Sequence, residues 1–175
     1  MTSKLKTDVL ETVSGSGTIA LTNQLSGMTD ASMPTGSVLQ VVHATGNTEV
    51  ASTAISTWVG TSGSIFITPT SASSKILINH TAGGMIMGNG GNIGIRIKQV
   101  ISGGSNVYLS TSYRHGYIST TTWVPHNWPM LYLDSPNTTN AIEYSIEMYQ
   151  TSASQANMRY CDTSYWNFIA QEIKG

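Results

Sequence analysis

The run Ile93-Gly94-Ile95-Arg96-Ile97-Lys98 constrains the fold of this chain more than any other stretch. Three isoleucines stand at every second position, with Arg96 between the last two and Lys98 directly after them. Successive side chains on a strand point to opposite faces, so the isoleucines share a buried face and the cations look outward. The same period returns in Ala141–Tyr149, where Ile142, Tyr144, Ile146 and Met148 oppose Glu143 and Glu147. Helix spacing would also bring Glu143 and Glu147 together; the tyrosines and the strand-like neighbours decide for β. The two glutamates are expected to pair across a strand gap with Arg96 and Lys98.

Shorter apolar runs surround these two. They are Val38–Ala44, Trp58-Val59, Ser64–Ile67, Lys75–His80, Val107–Ser110, Tyr117–Trp123, Met130–Leu133, Met158–Cys161 and Tyr165–Ile173. Val38–Ala44 is apolar on both faces, as a buried strand would be. Turn-forming residues break the pattern about every eight to twelve residues, which predicts an all-β antiparallel sandwich of the jelly-roll kind. No amphipathic helix and no strand–helix alternation appears. Composition agrees: charged residues are 10% of the chain, against about 25% in an average soluble domain. Serine and threonine make up about a quarter of it, and such short polar residues suit strands and turns better than exposed helices.

Residues 1–36 read differently from 37–175. Strand-like pieces around Ser14-Gly15-Ser16-Gly17 carry Leu5, Val9, Leu10, Val13, Ile19 and Leu21. These apolar groups are too few to close a core, so the piece is expected to serve as an extended attachment or oligomerisation arm. Ser26–Ser37, with Gly27, Pro34 and Gly36, reads as its linker. The head is then 37–175.

The function classes thin out quickly. Net charge is −1 and the eight basic residues are scattered, so there is no electrostatic footprint for nucleic acid. No apolar run approaches the ~18 residues that a membrane helix needs. The first residues lack an apolar signal core, which fits a product made in a reducing cytoplasm. Cys161 is a lone cysteine, read as a buried thiol. The glycine-rich stretch Gly83–Gly94 lacks the Gly-x-Gly-x-x-Gly spacing and reads as a turn between strands. His43, His80, His115 and His126 have no metal-ligand spacing, so neither a metal nor a cofactor is expected. Neither a nucleophile motif nor a facing carboxylate pair appears, so no catalytic residue is assigned.

Aromatics concentrate between Tyr108 and Tyr132. Within that span Tyr113, Arg114, His115, Tyr117, Trp123, His126, Trp128 and Tyr132 are the candidate contacts to a ligand or receptor. Flat rings beside guanidinium, imidazole and amide groups suit a glycan or a protein surface. The steps Val124-Pro125 and Trp128-Pro129 mark this part as an irregular loop. A buried or interfacial role for these rings stands beside that reading.

The order of features resembles a family of small tail-fibre-like structural proteins of marine bacteriophages, cyanophages among them. The resembling residues are Ser3–Leu21, Gly36–Val42, Ile67–Ile78 and Phe168–Ile173, about a third of the chain. The resemblance implies a non-enzymatic virion part, commonly a homotrimer, whose arm meets other virion proteins and whose head meets a host glycan or surface protein. A capsid decoration protein and a free-standing carbohydrate-binding module are the alternatives.

Overall fold

The computed structural model describes residues 32–87, 91–118, 123–151 and 157–175. Its contacts divide the chain into Met1–Met33 and Pro34–Gly175. The arm residues Leu5, Val9, Leu10, Val13, Ile19 and Leu21 lie outside the described residues. Gly36 and Ser37 belong to the second unit rather than to a linker. The Gly36 amide donates to the Lys174 carbonyl at 2.8 Å, and the Lys174 amide to Ser37 at 2.9 Å. Gly36 has φ +87°, a conformation that glycine adopts without strain.

The described part of this unit holds eleven strands: β1 Val38–Gly46, β2 Val50–Ser52, β3 Val59–Ile67, β4 Lys75–Met87, β5 Gly91–Ile101, β6 Asn106–Ile118, β7 Val124–Asn127, β8 Met130–Asp134, β9 Ile142–Gln150, β10 Asn157–Tyr160 and β11 Trp166–Ile173. All pairings are antiparallel. β4 runs through the first sheet unbroken. On one side it pairs with β11 and then β10, and on the other with β8 and then β7. β1 and β2 in turn pair with β11 and β10. Each of these couples lies end to end and forms one row. In chain order there are eight rows, arranged 1-8-3-6 in the first sheet. The second sheet, β3-β9-β5-β6, is then 2-7-4-5. That interleaving is the jelly roll, two Greek keys folded face to face.

The two-residue alternation fills the space between the sheets. Ile93, Ile95 and Ile97 of β5, Ile142, Tyr144 and Ile146 of β9, and Ile76 and Ile78 of β4 are almost wholly buried. Two polar connections run through this core. Tyr144 donates to Asp134 Oδ2 at 2.6 Å, and Gln99 donates to the same carboxylate oxygen, tying β9 and β5 to β8 of the opposite sheet. His80 Nε2 meets Tyr160 Oη at 2.7 Å. Burial holds the His80 imidazole down to about 4.

Three expectations need correction. β1 is an edge strand rather than a buried one, with Val38 and Val41 about half exposed. Gly83 to Met87 is strand, not turn. Its glycines are required by close approach: a Cβ on Gly83 would lie 2.6 Å from Ser164 Oγ, and one on Gly84 2.5 Å from Trp128 Nε1. The Val124-Pro125 step lies within β7, so the irregular part there narrows to Trp128-Pro129, between β7 and β8.

Candidate contact surface on the second sheet

The outward positions of β5 and β9 carry polar and aromatic groups in register. Arg96 lies opposite Glu147, and Lys98 opposite Ser145. Arg96 Nε donates to Glu147 Oε2 at 2.7 Å, and Lys98 Nζ stands 3.8 Å from the other carboxylate oxygen. The expected ion pairing therefore holds for Glu147, whereas Glu143 faces Val100. Arg96 is also held between two rings. Its guanidinium carbon lies 4.2 Å from the Trp58 ring centre and 3.6 Å from that of Tyr108. Trp58 in turn touches Tyr149 and Tyr113 at centroid distances of 5.0 and 5.4 Å. The result is a continuous stack across β6, β5, β9 and the segment before β3.

Gly94 makes this stack possible. A Cβ there would stand 2.6 Å from the Ser112 carbonyl oxygen and 3.2 Å from both Trp58 and the Tyr113 Cα. Any other residue would push β6 and Trp58 off the sheet.

The pairing of β6 with β5 decides which tyrosines share this face. Tyr108 and Tyr113 are five residues apart, so a regular pleat would set them on opposite faces. Ile95 and Ile97 are two apart, however, while their partners Ser112 and Leu109 are three apart. The extra residue falls at the bend marked by Ser110, whose φ is +47°, and it restores the shared face. A second irregularity lies between Gly116 and Ser112, opposite Ile93 and Ile95. Tyr117 then comes opposite Asn92. Tyr108, Tyr113 and Tyr117 are 47%, 54% and 63% exposed. They flank β5 from Lys98 to Asn92, about 20 Å at the usual strand rise.

The eight residues singled out in the sequence do not gather at one place. Tyr113, Arg114 and Tyr117 are exposed on β6. His115 and His126 are half-buried and meet across the gap between β6 and β7, rings 5.6 Å apart. Burial, and then the neighbouring charge of His115, hold His126 below the usual histidine range. Trp123 lies beside Arg159, whose guanidinium is 4.7 Å from its ring. Trp128 has no exposed surface. It is a core residue under Gly84 and offers no ring face to a ligand, which corrects its assignment as a contact. Tyr132 likewise packs against the core from β8. Trp58 and Tyr149 were not expected here. Tyr149 shares the outward parity of Glu143 and Glu147, which could have marked it; Trp58 precedes its strand and carries no such sign.

A cleft of about 380 Å³ is bordered by Gly83, His126, Asn127, Asp162 and Ser164. Cys161 is buried, its thiol pushed up to about 11 by burial. Among the described residues no group of three metal-ligating side chains converges.

No protein-family model matches the chain, and no curated protein sequence matches it. Among solved structures, the chain is similar to the VP2 subviral particle of infectious bursal disease virus, at 15% identity and a TM-score of 0.49, over 78% of this chain and 33% of that one. It is similar also to the T=1 particles derived from infectious bursal virus, at 16% identity and a TM-score of 0.49, over 78% and 32%. The chain thus spans about a third of the length of these structures. The assignment of the fold rests on the strand order.

Proposed function

We propose that this chain is a non-enzymatic structural component of a virus particle, a tail-fibre or receptor-binding part that meets the host surface through the outer face of its second sheet. The observation that carries the reading is the exposed row Tyr108, Tyr113 and Tyr117, braced by a stack of Trp58, Arg96 and Tyr149 on a rigid two-layer scaffold. Rings fixed in advance lose little freedom on contact, which favours recognition over catalysis. The resemblance of residues 3–21 and 168–173 to tail-fibre-like phage proteins supports the same reading.

The opposite side of the molecule supports assembly. Across the first sheet, Val41, Gln171, Leu77 and Leu133 lie side by side, and His43, Ile169, Asn79 and Leu131 form the next row. Leu131 is 68% exposed and Val41 57%. Such an aliphatic patch suits contact with copies of the same chain, in a homotrimer, and the N-terminal arm suits contact with other virion proteins. The same patch favours a second reading, a capsid decoration protein lying flat on a shell.

Two measurements test the proposal. Light scattering of the full chain should give three times its 18.7 kDa mass; a monomer at all concentrations would argue instead for a free-standing binding module. Antibody labelling of purified particles should mark tails. Label on heads alone would select decoration, and unlabelled particles would overturn the virion reading.

A further inference from the structure

The geometry points to a binding site for one neutral sugar ring, a hexopyranose, in the cleft where β4 changes neighbours at Gly83. This site lies apart from the contact face on the second sheet and does not depend on it.

The cleft follows from the pairing of the first sheet. On one side of β4, β11 starts with Trp166 opposite Ala82 and β10 ends with Tyr160 opposite Gly84. On the other, β8 starts with Met130 opposite His80 and β7 ends with Asn127 opposite Gly83. Both neighbours therefore leave the sheet at nearly the same level. They stay tied to β4 as they turn: the Cys161 amide donates to the Gly83 carbonyl and the Trp128 amide to that of Ala82, each at 2.8 Å. Residues 162–164 and the end of β7 then border a space of about 380 Å³. That volume stands at the small end of ligand pockets and suits one ring better than an extended chain.

The turn that carries Asp162 is strained. Cys161 and Thr163, on either side of it, hold φ at +60° and +51°, a region that residues other than glycine rarely adopt. Such conformations gather where a side chain is held in place for a ligand, and the side chain so placed here borders the cleft.

Charge excludes two classes of occupant. Asp162 Oδ1 accepts from Arg159 Nη1 at 3.3 Å, so its charge is balanced within the wall. Arg159 reaches Glu49 as well, at 3.5 Å, on a side more open to solvent. His126 is held below the usual histidine range and is uncharged near pH 7. Neither a cation nor an anion meets an uncompensated partner. What remains is a mixed set of donors and acceptors: the Asn127 carboxamide, the Thr163 hydroxyl and the Asp162 carboxylate. Sugar hydroxyls need such mixed partners, and the C–H face of the ring needs a flat neighbour, which Pro125 and His126 supply. Ser164 Oγ is buried without a partner, so turning it toward a bound hydroxyl breaks no hydrogen bond.

Saturation-transfer NMR of the full chain with the methyl glycosides of glucose, galactose and mannose tests the site, with assigned amide spectra to place the ligand. At least one of these sugars should bind, and the amides of Gly83, Asn127, Thr163 and Ser164 should shift. Added salt should change the affinity less than about twofold, and a hexuronate and a hexosamine should bind no tighter than the neutral sugar. Asn127→Ala, at an exposed position, and Asp162→Asn, which keeps the shape of the side chain, should each weaken binding about tenfold. Tyr113→Ala should leave it unchanged. So should Leu131→Ser, because Leu131 pairs with Asn79, roughly 13 Å along β4 from Gly83. Circular dichroism confirms that each variant is folded. No binding of any of the neutral sugars, tighter binding of a charged one, or shifts confined to residues outside the cleft would overturn the inference. Binding lost in Tyr113→Ala and kept in Asn127→Ala would overturn it too, and would move the sugar to the second sheet.

Discussion

The two outward faces of this sandwich are built from the same strand geometry and present opposite chemistry. On the first sheet the outward side chains include Val41, Leu77, Ile169, Leu131 and Leu133, which make no directional bonds. On the second, Tyr108, Arg96, Trp58, Tyr113 and Tyr149 each touch the next through a cation–π or ring contact, and Arg96 is also ion-paired with Glu147. An aliphatic face gains from any well-fitting apolar neighbour, because the hydrophobic effect has no direction. The aromatic and charged face has fixed donors, acceptors and ring planes, so it discriminates. The contrast suggests a division of labour, with association on one side and recognition on the other.

The predictions sharpen this contrast, and the largest concerns an aromatic that belongs to neither face. Trp128→Ala should cost about 3–5 kcal/mol in chemical denaturation, the usual result of emptying a filled core site. A loss under 1 kcal/mol would mean that the ring is not packed beneath Gly84. Acid should next separate the undersides of the two sheets. His80 of β4 is depressed to about 4 in the fold, while a free imidazole titrates near 6.5. The unfolded chain therefore takes up this proton first. Its contribution to stability is complete above about pH 6.5 and is lost as pH falls toward 4, by about 3 kcal/mol in all. His80→Gln should flatten that part of the pH–stability curve; an unchanged curve would assign the acid sensitivity elsewhere.

A smaller effect is expected on the second sheet's outer face. Arg96→Ala removes both the ion pair and the cation between Trp58 and Tyr108, and should cost about 2 kcal/mol, because the pair is largely but not fully out of water. Fluorescence of Trp58 should become more solvent-exposed in the same variant. The smallest change belongs to the aliphatic face. Leu131→Ser should alter the stability of the single chain by less than about 0.5 kcal/mol, yet lower the associated mass in light scattering. Similar costs for Arg96→Ala and Leu131→Ser would erase the contrast between the faces.

Much of the fold was legible in the sequence because a strand with one buried face writes its own period. Ile93 to Lys98 and Ile142 to Met148 reveal both their faces and their pairing partners. Breaks rich in glycine, serine and proline mark most of the corners. The site was harder to read. The shared face of Tyr108 and Tyr113 depends on an irregularity near Ser110, and serine at that position carries no warning of a left-handed backbone. Trp128 sits among exposed-looking polar neighbours and a proline, and only the break between β7 and β8 turns it inward. Val38–Ala44 looked buried because apolar composition does not distinguish a central strand from an edge strand whose outer face awaits a neighbour.

Hydroxyl-radical footprinting of the full chain, compared between dilute and concentrated solution, tests the division between the two faces most directly. Protection of Val41, Leu131 and Leu133 on association, with Tyr108, Tyr113 and Tyr117 equally reactive in both states, is the predicted result. Protection of the three tyrosines with Leu131 and Leu133 still reactive would reverse the roles of the two faces and contradict the account.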